Sequence, residues 1–587
     1  MQPQELAYLM RYAFAVLAIF IAYFLLRGAI GDLRGRIRSN LRPAQGYFLM
    51  LLSENNEVEG RSLPLFHTTV LGSGNAADIR LQSDDVGKRH AMIYLFDGEW
   101  FIRPVSSRRQ VLLNGVPVLN EVPLRNQDVL TIGRVSMLYI DERAAARAQG
   151  IPYQGDARPA GIDRQRVVPT GAAWLLVNIA IVLSAFISVF LVPETMTVLR
   201  EPIMILFGVF FAIFNLYYFI LPLTLKPLDR PFFVAIMALA LLGLLIQTRL
   251  TVLNVNYPAV TDELIAQLVR LLSVQAFALF LGLILMPIIV LIVQRTGFLE
   301  SIVYLCAVLT PLMLILTLVL GRGRQEMGAS LWIVIGGYSI QLTEFAKITY
   351  LITLAGFFKI RPPFRVQLIF AGWAAVVLFL IMMLPDLGSA MILLPTTLIV
   401  YVVMTSEYLT TFFILIAGSG LGVAAYTLFP HVQRRIGGWS TLWTEVNDQN
   451  RQIVYGLQAI GRGGIFGRGI GNGSPEGIPL ADSDMVFAVI GEEMGLLVLL
   501  AVLVLYIVMW LRGAKNTMMV RDGFSSSLTL GIATLFLMEA VIVIGGVTGL
   551  IPLTGVTLPF VASGGSSILA KMLLVSIYLG IAGRSSS

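Results

Sequence analysis

About 20 consecutive, predominantly apolar residues suffice to cross the hydrocarbon of a bilayer as one helix. This chain repeats such runs along most of its length. They lie near residues 8–26, 172–192, 201–222, 232–249, 274–293, 298–320, 340–358, 366–384, 387–405, 410–429, 485–510, 525–548 and 563–582. That pattern excludes a soluble globule, because helices apolar all round have nowhere in water to hide their surfaces. Composition agrees: 57% of residues are hydrophobic and 13% charged, against roughly 45–50% and 25% in soluble domains. The expected fold is a polytopic all-α membrane protein of about 13 transmembrane helices, interrupted by one all-β insertion.

The first run lacks a small-residue cleavage site and is followed by Arg27, Arg34, Arg36, Arg38 and Arg42. Residues 1–30 therefore read as a retained anchor rather than a cleaved signal. Residues 45–142 carry no spanning run. Short β-branched and aromatic segments at 93–96, 100–105 and 128–140, with turn signals Asp97-Gly98 and Asn114-Gly115, predict a small β domain. A basic linker over 143–170, two spans within 171–230 and a larger membrane domain over 231–587 complete the organisation.

Loop charge orients the chain. With the basic stretch after the anchor inside, alternation places Lys226, Arg230, Arg295, Lys359, Arg361, Arg365, Arg512, Lys515, Arg521 and Arg584 inside as well. The β domain is then cytoplasmic and the long loop 430–484 extracellular. The net charge of +7 fits this loop bias better than nucleic-acid binding. The single cysteine, Cys306, permits no internal disulfide, and His67, His90 and His431 are too scattered for a metal cluster.

The loop 430–484 is the richest in chemistry. It carries Arg434-Arg435, Arg462-Gly463-Gly464, Gly467-Arg468-Gly469, Gly471 and Gly473. Glycine admits close backbone approach, and with arginine it could hold an anionic pyrophosphate; it could equally be a flexible surface loop. The loop ends at Asp482-Ser483-Asp484, where the chain re-enters the bilayer. Those carboxylates could cap the next helix, or one could act as a general base with a raised pKa. Ionisable groups also fall inside expected spans: Glu344, Lys347, Glu492, Glu493, Glu539 and Lys571. Such groups are costly in lipid and point to function. Glu344 and Lys347 are three apart and can pair on one helix face.

Several of these segments resemble the SEDS (shape, elongation, division and sporulation) family of RodA/FtsW-like proteins. Gln341-Leu342-Thr343-Glu344-Phe345-Ala346-Lys347 is similar to Q-P-S-E-F-A-K, and Pro385-Asp386-Leu387-Gly388-Ser389-Ala390 to P-D-L-G-T-A. Ala459-Ile460-Gly461-Arg462-Gly463-Gly464 resembles A-I-G-S-G-G. Asp482 to Asp484, followed by Gly491-Glu492-Glu493-Met494-Gly495, resembles H-T-D-F-I-F-A-x-x-G-E-E-x-G. Gly549 to Gly555, Leu558-Pro559-Phe560 and Gly564-Gly565-Ser566-Ser567 resemble the family's C-terminal motifs. Asp482 stands where the family has His, Leu342 where it has Pro, and Val543 where Asn is common.

The resemblance implies a SEDS-type core of ten spans and a peptidoglycan glycosyltransferase that polymerises lipid II, with inversion, at the outer membrane face. It implies Asp484 as the catalytic carboxylate and Glu344 and Lys347 as a buried polar pair. Arg462, Arg468, Arg435, Lys347 and Ser566 are candidates for the substrate and its pyrophosphate. A divalent cation, Mg2+ or Mn2+, could serve the leaving group instead; no other cofactor is implied. A class B penicillin-binding protein, a transpeptidase, is the implied membrane partner. A lipid II flippase and an inactive scaffold recruiting cell-wall proteins are the alternatives.

The β domain resembles a forkhead-associated (FHA) domain through Leu71-Gly72-Ser73, Asn75 to Ile79, Val86 to Ala91 and Asn114-Gly115. That implies a ligand site at Ser73, Lys88, His90 and Asn114. Ser73 replaces the family's phosphate-binding Arg and Gly87 its Ser. The expected ligand is a phosphothreonine segment or an unphosphorylated protein.

Overall fold

The computed structural model describes residues 3–41, 43–52, 58–66, 68–74, 77–81, 83, 85–87, 90–96, 99–105, 110–143, 170–192, 194–225, 229–252, 262–321, 331–335, 338–359, 362–520 and 522–585. The Asp97-Gly98 turn, His67, Lys88 and the linker from 144 to 169 lie outside these. The chain forms two compact units: residues 1–30 with 168–587, and residues 31–167.

The membrane unit opens with α1 (Pro3–Leu41), whose first part belongs to it. There follow α2 (Thr170–Phe190), α3 (Arg200–Phe219), α4 (Arg230–Val252), α5 (Asp262–Arg295) and α6 (Val303–Leu320). A short hairpin, Ile333–Ile335 with Tyr338–Ile340, leads to α7 (Leu342–Phe357). Then come α8 (Phe364–Met383), α9 (Leu387–Thr405), α10 (Tyr408–Leu428), α11 (Pro430–Ser440) and α12 (Arg451–Gly463). The chain ends in α13 (Val486–Met519), α14 (Gly523–Val547) and α15 (Gly565–Ser585).

Among the described residues, 12 helices are long and apolar enough to cross a membrane. The expected thirteenth span, 340–358, is the exception. Its first residue, Ile340, ends the hairpin, and α7 itself has only 16 residues, about 24 Å at 1.5 Å per residue. The loop 430–484 also differs from expectation, since α11 and α12 occupy much of it.

Burial separates centre from periphery. The most buried windows are those of α4 (83%), α14 (78%) and α15 (78%), whereas α10 has none of its window buried. Buried polar groups in the central helices find partners, as a low-dielectric interior requires. Asp229, just before α4, accepts from Arg512 Nε at 2.9 Å and from Asn516 Nδ2 at 2.8 Å, and Asn516 also donates to Tyr578 Oη at 2.7 Å. This cluster ties the start of α4 to the far part of α13 and to α15.

The second unit is a β sandwich. One sheet has strand order β2 (Val58–Phe66), β1 (Pro43–Leu52), β11 (Val135–Asp141), β10 (Val129–Ile132), β7 (Val111–Leu113) and β8 (Val116–Pro117), and the other β4 (Ile79–Arg80), β3 (Thr68–Gly72), β5 (Ala91–Phe96), β6 (Glu99–Pro104) and β9 (Val122–Leu124). The inward residues alternate, as in β10 (Val129–Ile132), where Leu130 and Ile132 are buried, and they meet Trp100, Ile102 and Tyr139 in one core. Asn114 and Gly115 both take positive φ, 52° and 80°, making the tight hairpin between β7 (Val111–Leu113) and β8 (Val116–Pro117) that their sequence demands.

Candidate active site at the mouth of helix α13

Asp482 and Asp484 sit immediately before α13, yet neither caps it: the N-cap residue is Met485, without a side-chain cap bond. Asp482 is exposed and stitches the surface together. Its carboxylate accepts from Ser563 Oγ at 2.8 Å, and its carbonyl from Gln247 Nε2 at 2.8 Å. Asp484 is half-buried. Burial pushes its carboxyl up to about 6, with help from the charge of Asp482 and against the opposing pull of Arg435 and Ser483. A carboxyl poised there is mostly ionised at neutral pH yet basic enough to accept a proton.

Arg435, on α11, lies within electrostatic range of this carboxyl. Its Nη1 donates to the Leu553 carbonyl at 2.6 Å, which fixes the guanidinium beside the segment between α14 and α15. Gly555 in that segment has φ +73°, and a Cβ there would stand 3.4 Å from both Arg435 Nη2 and Asp484 Oδ2. Glycine thus lets the backbone close over the pair. Leu480, four residues before Asp484, also holds a left-handed φ of 56°, and its carbonyl receives the Met485 N–H at 3.0 Å. Non-glycine residues persist in that conformation only when their surroundings enforce it.

Behind this surface lies a buried charge cluster. Lys347 donates to Glu344 Oε1 at 2.8 Å and to Glu539 Oε1 at 2.9 Å. Lys571 pairs with Glu344 Oε2 at 3.2 Å and hydrogen-bonds Ser567. The expected Glu344–Lys347 pair is therefore half of a four-member group, two cations against two anions, shared by α7, α14 and α15. Asp386 is buried as the N-cap of α9, accepting from Ser389 N at 3.0 Å and Oγ at 2.7 Å. It lies within electrostatic range of both Lys347 and Arg435, so charged groups run from Asp484 inward to Lys347. Ser566 Oγ accepts from Gln341 N at 3.3 Å at the head of α7.

The glycine-rich segment is not a loose loop. Arg462 Nε meets Glu492 Oε1 at 2.9 Å and Arg468 Nη1 meets the same oxygen at 3.6 Å. Arg249, at the end of α4, meets Glu493 at 2.9 Å with both side chains buried. Backbone bonds join Arg468 N to Glu492 O and Gly469 N to Glu493 O. Gly467, with φ +80°, passes so close that a Cβ would collide with the Glu493 carbonyl. Of the three candidate arginines in this region, the structure brings Arg435 within electrostatic range of Asp484 and places Arg462 and Arg468 on Glu492. Sequence reading did not single out Arg249; its signal was a lone Arg closing an apolar run.

In the sandwich, Ser73 is exposed, with Oγ donating to Val86 O and its N–H to Gly87 O, both at 2.9 Å. His90 is buried; its Nδ1 accepts from Gly87 N at 3.0 Å and its Nε2 lies 3.1 Å from Gln110 O, which assigns the proton to Nε2. Asn114 Oδ1 accepts from Val129 N and its Nδ2 donates to Asp128, both at 2.8 Å. These side chains shape the loops at the end of the sandwich. Among the described residues there is no group of three or more His, Cys, Asp or Glu that could hold a metal ion.

Comparison with known proteins gives this arrangement its relatives. The chain is 35% identical over 271 residues to the peptidoglycan glycosyltransferase RodA of Mycobacterium tuberculosis, covering 43% of this chain and 57% of that protein. The match thus spans little more than half of that relative's length. It is 32% identical over 283 residues to a probable peptidoglycan glycosyltransferase FtsW of Trichlorobacter lovleyi, covering 46% of this chain and 73% of that one. A solved chain from a peptidoglycan synthase complex that coordinates polymerization and crosslinking is 25% identical, covers 60% of this chain and 97% of its own, and superposes with a TM-score of 0.49. An FHA domain profile matches residues 69–133. The profile of the FtsW/RodA/SpoVE cell cycle proteins matches residues 229–587, well over half of the chain, which therefore belongs to that family and carries an FHA domain between its first helix and the others.

Proposed function

We propose that this protein is a peptidoglycan glycosyltransferase that joins lipid II units into glycan strands at the outer face of the cell membrane. The observation that carries the reading is Asp484: a half-buried carboxyl held near 6 at a helix mouth, beside Arg435 and under Gly555, in a chain of this family. In the reaction the acceptor sugar hydroxyl attacks the anomeric carbon of the donor. Asp484 takes the hydroxyl proton, the new glycosidic bond forms on the opposite face, and the lipid-linked pyrophosphate leaves. Inversion follows from that single displacement. Arg435 is the cation nearest the general base and would offset charge on the pyrophosphate. Glu344, Lys347, Glu539 and Lys571 hold α7, α14 and α15 in register behind the site, and Ser566 fixes the head of α7.

The topology that fits this reading places the loop 430–484 outside and the FHA domain in the cytoplasm, as loop charge favours. With Ser73 where a phosphate-binding Arg would stand, we read the FHA domain as docking a protein segment without needing its phosphate. A class B penicillin-binding protein is the membrane partner that the reading calls for.

The test separates polymerase from transporter and scaffold. Purified chain with lipid II and the transpeptidase should yield glycan strands on a gel. In sealed vesicles it should not carry lipid II across the bilayer. Translocation without strands would establish the transporter, and neither activity in folded protein the scaffold.

A further inference from the structure

Past the end of α14, where α11 closes on it, the membrane unit presents an exposed apolar patch. Trp443 is 80% exposed and Leu550 74%, and the ring of Trp439 is partly exposed beside them. Large apolar side chains gathered at a surface mark contact with something other than water. The three are held together through residue 549. Trp439 Nε1 donates to the Gly549 carbonyl at 2.8 Å, next to Leu550. Gly549, at φ +70°, lies so close that a Cβ would stand 2.6 Å from Leu442 Cδ2, the neighbour of Trp443. The polar atom of Trp439 is thus satisfied within the protein, and what it leaves outside is ring carbon.

The depth of the patch follows from how α11 is tied. Only Phe429 separates its start at Pro430 from the end of α10 at Leu428. Its far end is bonded through Trp439 to Gly549, just beyond the end of α14 at Val547. Between them α13 crosses the bilayer and α14 crosses back, so α10 and α14 end on the same face, whichever side that face looks to. A helix held at both ends between them runs along that face. α14 has 25 residues, about 37 Å at 1.5 Å per residue, against roughly 30 Å of hydrocarbon. Its end, with Gly549 and Leu550, therefore reaches the headgroup layer. The surface leading there faces lipid: no residue of α10 is buried, and Tyr426 and Leu428 in its last turn are exposed.

Tryptophan favours that layer, where an apolar ring and a polar tip both find partners. A helix lies flat there when one side is held and the other is apolar. Val432 and Gly438 turn one side of α11 into the protein, and Arg435 on the same helix is fixed to the Leu553 carbonyl. A protein could also cover the patch, but its depth, set by α10 and α14, makes lipid the occupant. We propose that α11 and the turn after it form an interfacial membrane anchor, with Trp439, Trp443 and Leu550 seated among phospholipid headgroups. The anchor fixes the height of Arg435, and with it the mouth of α13, against the bilayer surface. It holds whether or not the chain polymerises glycan.

The test uses the full-length chain in vesicles of phosphatidylcholine and phosphatidylglycerol, with Cys306→Ala so that each variant carries one labelling site. A nitroxide spin label is attached at Trp443→Cys, at Leu550→Cys or, as a control in the same loop, at Asp448→Cys, whose native side chain is 98% exposed. Its collisions with oxygen, which concentrates in the bilayer, are compared with those of a water-soluble nickel chelate. Labels at 443 and 550 should collide more with oxygen, and the label at 448 more with nickel. A second measurement needs no label: the emission lost on Trp443→Phe should be the part that lipids brominated near the headgroup quench. Labels at 443 and 550 that collide more with nickel, or Trp443 emission untouched by the brominated lipids, would overturn the anchor. Labels that stay open to nickel until the transpeptidase is added would also overturn it, and would give the patch to a protein partner.

Discussion

Replacing Asp484 by Asn should make the protein more stable above about pH 6 while stopping its reaction. The folded carboxyl sits at about 6, against an ordinary 3.8, so folding holds its proton more tightly than the unfolded chain does. Between those two values the native state binds more protons, and stability falls as pH rises through the window, levelling off above it. A shift of about two units corresponds to about 3 kcal/mol at neutral pH; solvent reaches a half-buried group, so roughly 1–3 kcal/mol should survive screening. Asn keeps the shape without the charge. Unfolding in detergent, followed at pH 4 and pH 8, should show the variant matching the native chain at the lower pH and exceeding it at the higher. Equal stability at both values, or a gap of the same size at both, would refute the claim that Asp484 is held in a site that disfavours its charge.

Arg435→Ala removes the cation that opposes the rise, so the acid limb of the polymerisation pH profile should move above about 6, with the rate falling roughly a hundredfold; an unmoved limb in a pH–rate series would deny that Arg435 acts on Asp484. Gly555→Ala forces a side chain onto φ +73° and to within 3.4 Å of both Arg435 and Asp484, at a cost of about 1–3 kcal/mol. Strand formation on a gel should fall further than the melting temperature suggests. Arg249→Met leaves Glu493 buried without its cation and should destabilise by about 3–5 kcal/mol; denaturant midpoints should recover much of that in the double variant Arg249→Met/Glu493→Met.

Much of the fold was legible because the bilayer imposes a length. Runs of about 20 apolar residues located the helices, and Asn114-Gly115 announced a turn that its positive φ values bear out. α7 is shorter than the apolar run that announced it, because a hairpin ends at Ile340 and leaves a helix of 16 residues. The carboxylates before α13 were visible as residues, but position alone left capping open. The N-cap at Met485 and the proximity of Arg435, 49 residues upstream, come only from the folded chain. Glu539, Lys571, Glu492 and Glu493 stood out as charges in apolar runs, while their partners, from α7, α12 and α4, are set by packing that sequence spacing does not encode.

The central claim is that Asp484 is the base of a strand-forming reaction. Its most direct test is lipid II polymerisation by the purified chain with its transpeptidase, native against Asp484→Ala, with folding checked by gel filtration. The account predicts glycan strands from the native protein and none from the folded variant. Strands of equal yield from both would contradict it and send the search for the base elsewhere.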